Sequence, residues 1–189
     1  MKNRWKSNII KSNAAFTLIE LMVVIGIIAI MSAIAIPNLM NPEHKLKKAA
    51  TGLMSDMQKT RSMAIKENKE WRIVFDATGY SIFTDTINPG PPPVKTPVEK
   101  KRVDLSGYAA GVEYGHGSAT KDVSGDSSFP AVHTYTDNTL AFTPKGTVNT
   151  TSGTGEMYVY LEYGDATYAV GTGPTGIVKI LRWDGGAWK

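Results

Sequence analysis

The chain has 189 residues, no cysteine, 42% hydrophobic residues and a formal charge of +4. That length and apolar content suit one domain with a real core and exclude a wholly disordered chain. The missing cysteine excludes disulfides, Cys-zinc and iron–sulfur sites and thiol catalysis. The sequence pI of about 9.2 invites a nucleic-acid reading.

The charge is not spread evenly. Residues 1–15 hold Lys2, Arg4, Lys6 and Lys11 and no acid, so the rest balances at 17 basic against 17 acidic residues. A basic head before an apolar run is a topology or address signal. From Leu21 to Pro42 no residue is charged. As a helix, such a run spans roughly 33 Å at ~1.5 Å per residue, close to a bilayer core of about 30 Å. Three readings compete. One is a secretory signal, with Ala33-Ile34-Ala35 as its cleavage site. The second is a plain single-pass anchor. The third is a segment cut before its apolar part.

Glu20 favours the third. A carboxylate at the mouth of an apolar helix is costly, and neither a disposable signal nor a plain anchor needs one. Its context is Ala14-Ala15-Phe16-Thr17-Leu18-Ile19-Glu20-Leu21. This resembles the N-terminal signal of type IV prepilins and type II secretion pseudopilins: a small residue, Phe-Thr-Leu-x-Glu, then about twenty apolar residues. The family usually has Gly before the cut, and here Ala15 stands there. The resemblance implies cleavage between Ala15 and Phe16 on the cytoplasmic face by a prepilin peptidase/methyltransferase, with N-methylation of Phe16. It also implies that Glu20 meets the new amine of a neighbouring subunit and sets register in the filament. Such an amine lies about one helical turn from Glu20, and opposite charges in low dielectric attract strongly. Glu20 as a cap at the membrane interface is the plainer alternative.

Pro37 is expected to kink or restart the helix, and Pro42 to disturb it again. Beyond lies an amphipathic helix over 43–68. Leu46, Ala49, Ala50, Leu53, Met57, Ala64 and Ile65 form its apolar stripe. Lys45, Lys47, Lys48, Asp56, Lys59, Arg61 and Lys66 are expected on the other side. Met54, Met57 and Met63 read as core packing. The lysines at 45–48 suit lipid headgroups or a solvated face equally.

Trp71–Asp76 and Tyr80–Thr84 read as a hairpin turning at Ala77-Thr78-Gly79. Pro89, Pro91, Pro92, Pro93 and Pro97 predict an extended loop. Val103–Leu105 and Gly111–Tyr114 are weaker strands, and 115–128 a loop rich in Gly, Ser and Asp. Further strands are expected at 140–142, 157–161, 167–170 and 176–183. The fold class is therefore α+β, a long N-terminal helix packed on a mainly antiparallel β domain. Its parts are a basic leader 1–15 that is removed, an apolar membrane and assembly helix 16–42, an amphipathic helix 43–68 and a β-rich periplasmic head 69–189. The hairpin, Phe142-Thr143-Pro144-Lys145-Gly146 and Thr175-Gly176-Ile177-Val178-Lys179-Ile180 resemble the H-type minor pseudopilins (GspH/FimT), which implies the pilin fold.

The sequence is poor in chemistry. His44, His116 and His133 have no partners at metal-helix spacing. No nucleophile elbow, phosphate loop or zincin helix is present. Asp122–Ser127 offers oxygens but lacks the spacing and closing Glu of a calcium loop. No metal, cofactor, small-molecule substrate or enzymatic activity is expected. Some relatives of this family bind DNA through a Gly-Arg-x-x-Arg patch. Here Ile177 replaces the first Arg, leaving Lys179 and Arg182, which point to opposite faces of a strand. Nucleic acid is thus disfavoured as a partner. The expected partners are other pilin or pseudopilin subunits through the N-terminal helix, the prepilin peptidase and the inner membrane. The reading is a minor pseudopilin of type II secretion; a minor type IV pilin serving fimbriae or DNA uptake is the alternative.

Overall fold

A computed structural model describes residues 16–40, 42–88, 94–127, 129 and 133–189. The expected leader and Ala15 lie outside these, as do Pro89 and Pro91–Pro93. Two compact units are present, one ending at Met40 and the other covering Asn41–Lys189.

The first unit contributes α1, Leu18–Met40. Thr17 starts it, its hydroxyl accepting from the Glu20 amide at 3.2 Å, as an N-cap threonine should. The backbone stays helical through Pro37, so the helix does not restart there. Among the described residues no helix is long and apolar enough to cross a membrane. The side chains of α1 are described only over 18–33, short of the ~20 residues a span requires.

The second unit opens with α2, Pro42–Glu67. Proline suits the first helical position, where its missing N–H costs nothing. Glu43 in the first turn and Lys66 in the last complement the helix dipole. The helix ends at Asn68, in the left-handed region with φ 52°. The Asn68 amide donates to Ile65 O at 3.3 Å and the Lys69 amide to Ala64 O at 3.2 Å, a pair of bonds that closes the last carbonyls.

Among the described residues eight strands follow, in two antiparallel sheets. β1 (Trp71–Phe75), β2 (Gly79–Asn88), β3 (Val94–Asp104) and β5 (Thr139–Phe142) form one, in the order β3-β2-β1-β5. β4 (Glu113–Tyr114), β6 (Met157–Tyr163), β7 (Ala166–Thr172) and β8 (Val178–Arg182) form the other, in the order β4-β6-β7-β8. The predicted β1–β2 hairpin is present. Its turn is set by Asp76, whose carboxylate accepts from the amides of Thr78 (2.9 Å) and Gly79 (2.8 Å). Those bonds, the Thr78 amide first, hold the Asp76 carboxyl below its usual range. At Gly79 a side chain would collide with the Val103 carbonyl of β3, so this turn requires glycine.

Both sheets press one face on α2. Leu46, Ala49, Ala50, Leu53, Met57 and Ala64 from the helix meet Trp71, Ile73, Phe75, Tyr80, Ile82, Leu140 and Phe142 from the first sheet. Met157, Val159, Leu161, Tyr168 and Val170 complete the core from the second. Met57 is buried, and Met54 and Met63 pack at its margin. Alternation along the strands produces this one-sided burial. The outer face of the second sheet carries Tyr158, Tyr160 and Ala169 beneath Val123, Phe129, Leu181 and Trp188. There the last residues fold back: Trp183 pairs with Trp188, and Arg182 and Lys189 exchange backbone hydrogen bonds of 2.7 and 2.9 Å. Asp184 ties this turn through Lys189 and the amides of Ala187 and Gly186, which draw its carboxyl down to about 2. Every buried apolar side chain among the described residues lies between Leu46 and Trp183. Residues 42–189 thus hold their whole core and form a folding unit.

Four further expectations need correction. Ile65, expected in the apolar stripe of α2, is 50% exposed. Pro97 lies inside β3, not in a loop, with Asp85 opposite it. β3 is an outer strand of its sheet, and there a proline costs no sheet hydrogen bond if its nitrogen faces outward. Of the two weaker strands, Val103-Asp104 end β3 while Leu105 opens a 3₁₀ turn, and only Glu113-Tyr114 remain of the second. Asp56 is not on the solvated side of α2: it is 6% exposed.

Candidate functional site

At the start of α1, Phe16 is 80% exposed, and Glu20 sits exposed in the first helical turn. The Leu21 amide donates to Thr17 O at 3.2 Å. Thr17 therefore stops the helix one residue short of Phe16, the residue that would carry the α-amine after cleavage. A carboxylate in the first turn is favoured by the helix dipole, by about 0.3–1 kcal/mol. Leu18, Ile19, Leu21, Met22, Val23, Val24, Ile25, Ile27, Ile28, Ile30 and Met31 are all well exposed. Such a helix, apolar all round, is stable only when something apolar surrounds it.

β8 carries Lys179 and Arg182. Arg182 pairs with Glu43 of α2 at 3.0 Å. Lys179 pairs with Glu156, whose carboxyl is held below its usual range by Lys179 first and by the Tyr158 hydroxyl. Val178 and Ile180 pack on the core and Leu181 on the outer cluster. That alternation assigns the two cations to different faces. The structure does not bring them together, and each has a carboxylate partner.

Two polar clusters escaped the sequence reading. In the first, the buried Asp56 of α2 accepts from the Tyr80 hydroxyl at 2.7 Å and from Lys101 Nζ at 2.6 and 2.7 Å. Burial first, then Asp56, pushes the Tyr80 hydroxyl far above its ordinary range, so it stays a donor. α2, β2 and β3 are thereby joined at one carboxylate. In the second, Arg61 of α2 donates through Nε to Gly146 O at 2.7 Å and through a terminal nitrogen to Thr175 O at 3.4 Å. Gly146 and Gly176 both have φ 76°. A side chain at Gly176 would strike the Gly146 carbonyl. The two short motifs of the head, 142–146 and 175–180, therefore meet at their turns, and one arginine clamps both to the helix. Arg61→Ala is expected to lower the stability of the head by about 1.5–3 kcal/mol, since hydrogen bonds from a charged donor are lost. Urea unfolding of residues 42–189 measures this, and Arg61→Lys recovers only part of it because one ammonium cannot reproduce the fork.

No residue grouping suited to a metal ion occurs among the described residues. The hollow of about 560 Å³ lined by Asn68, Lys69, Glu70, Asp85, Thr86, Lys95 and Pro144 and the one of about 200 Å³ beside Trp71 are both grooves open to solvent. The arrangement is one of surfaces and clamps: an apolar rod with a capped start, and a head fixed to its own helix.

The comparisons with known proteins agree with that description. Residues 10–36 match the prokaryotic N-terminal methylation motif, from before Ala15 well into α1. Residues 49–176 match the family described as type II transport protein GspH, from α2 to the turn before β8. No curated protein and no solved structure is significantly similar to the chain. The GspH match covers more than half the chain and takes in most of α2, the strands β1 to β7 and the turns that Arg61 clamps. The chain belongs to the GspH family of type II transport proteins.

Proposed function

We propose that this protein is a minor pseudopilin, a structural subunit of the type II secretion pseudopilus and not an enzyme. The observation that carries the reading is the union of two parts on one chain: the methylation motif over 10–36 and the GspH head over 49–176. On this reading a prepilin peptidase cuts between Ala15 and Phe16 and Phe16 is N-methylated. The uncharged run Leu21–Pro42 holds the subunit in the inner membrane before assembly, with the basic residues of 1–15 inside and the head outside. In the filament the exposed apolar surface of α1 is covered by the helices of neighbouring subunits. Glu20 then neutralises a neighbour's amine, which supplies the axial register that apolar contacts alone lack.

The ion pairs of Lys179 and Arg182 speak against the DNA-uptake alternative, because neither cation is left over to neutralise phosphate. Deleting the gene is expected to abolish export of the type II substrates of the host while leaving DNA uptake at its normal frequency. Normal export with lost transformation would instead support a competence pilin.

A further inference from the structure

β3 does not run evenly along β2. Ile82 faces Lys101 and Phe83 faces Glu99, so Lys100 is an extra residue, a β-bulge. In a regular strand, consecutive side chains point to opposite faces. Here Lys100 and Lys101 both line one groove of about 200 Å³ between α2 and the sheet, together with Lys59, Thr60, Met63, Trp71 and Ile82. Bulges re-aim side chains and cluster at functional places.

The floor of this groove is apolar and rigid. Trp71 is 6% exposed and Ile82 4%, both held by the core cluster. The rim is cationic. Lys101 is neutralised by Asp56 at 2.6 Å. Lys59 and Lys100 have no ion pair among the described residues. Glu67, at the end of α2, is engaged by Lys69 at 2.9 Å and by the Trp71 indole at 3.2 Å. Lys69 first, and Lys100 weakly, hold its carboxyl below the usual range. Two ammonium groups thus stand over an apolar floor.

We propose that the groove between α2, β2 and β3 docks an acidic polypeptide segment of a partner protein, one apolar side chain entering between carboxylates that meet Lys59 and Lys100. The volume admits one large apolar side chain, and the charges above it ask for acids. A nucleic acid fits worse: two cations without an ion pair are few for a phosphate backbone. The partner's place in a pseudopilus rests on the proposed function, but the docking chemistry does not.

The test is a titration of isotope-labelled 42–189 with the peptide acetyl-Glu-Asp-Leu-Phe-Glu-Asp-amide, followed by amide and indole NMR shifts. Shifts confined to Thr60, Met63, Ile82, Lys100 and the Trp71 indole are expected. The Lys59→Ala/Lys100→Ala double variant, whose side chains are exposed, should bind about tenfold more weakly. A control peptide with lysines for the acids should not bind. Three results would overturn the proposal: no shifts at millimolar peptide, equal binding by the double variant, or equal shifts with an oligonucleotide. So would groove shifts that depend on protein concentration alone, which would make a second copy the occupant. Because no filament is involved, failure here leaves the pseudopilin reading untouched, and failure of secretion tests leaves this result standing.

Discussion

Glu20→Ala is expected to leave the chain in the membrane fraction and to lower its share in sheared filaments by tenfold or more. Removing one partner of a buried ion pair costs about 3–5 kcal/mol, because the other charge stays buried and unpaired. About 1.4 kcal/mol already shifts an equilibrium tenfold. The helix itself loses little, since a first-turn carboxylate contributes only about 0.3–1 kcal/mol and Thr17 still caps the start. Glu20→Gln separates charge from shape: it should assemble as poorly as the alanine variant. Assembly of either variant at the wild-type level would assign Glu20 to the interface-cap role alone.

The second large effect is expected at Asp56. In the folded head its carboxylate holds Tyr80 and Lys101 at once. Lys101→Met leaves that carboxylate buried with only the tyrosine hydroxyl, at a cost of about 3 kcal/mol or more. Asp56→Ala strands the buried Tyr80 hydroxyl, while Lys101, 45% exposed at its side chain, can return to water. A cost of about 2–3 kcal/mol follows from the unsatisfied hydroxyl and the lost pair. The double variant Asp56→Leu/Tyr80→Phe removes both buried polar partners and should regain most of the loss. Chemical denaturation of residues 42–189 reads all three. If Lys101→Met unfolds at the wild-type midpoint, the pair carries no weight in the head.

These two carboxylates differ in how plainly the sequence announces them. Glu20 is legible because it interrupts an apolar run and stands in a five-residue motif, Phe16 to Glu20. Asp56 is not, because an acid among lysines on a helix reads as solvated. Its burial depends on β2 and β3 crossing that point of α2. Arg61 was hidden for a related reason. Its acceptors are main-chain carbonyls 85 and 114 positions away, and a carbonyl leaves no mark on composition.

The strands divide in the same way. β1, β5, β6 and β7 bury alternate or continuous apolar residues and were readable from that pattern. In the sequence only the start of β3, through Pro97, reads as a proline-rich loop, and its end, Val103-Asp104, reads as a weak strand. The strand is exposed almost throughout, carries Pro97, Glu99 and three adjacent cations, and is bulged at Lys100. An outer strand held by main-chain bonds to β2 needs no apolar face, so periodicity had nothing to report.

The most direct measurement is the N-terminal sequence and mass of the mature chain recovered from membranes. A start at Phe-Thr-Leu, with one added methyl group on Phe16, is the expected result. It would establish the cut at Ala15/Phe16, on which the assembly role of α1 depends. A mature start at Ile36, after Ala33-Ile34-Ala35, would contradict it: the apolar helix would be gone, and with it the pseudopilin.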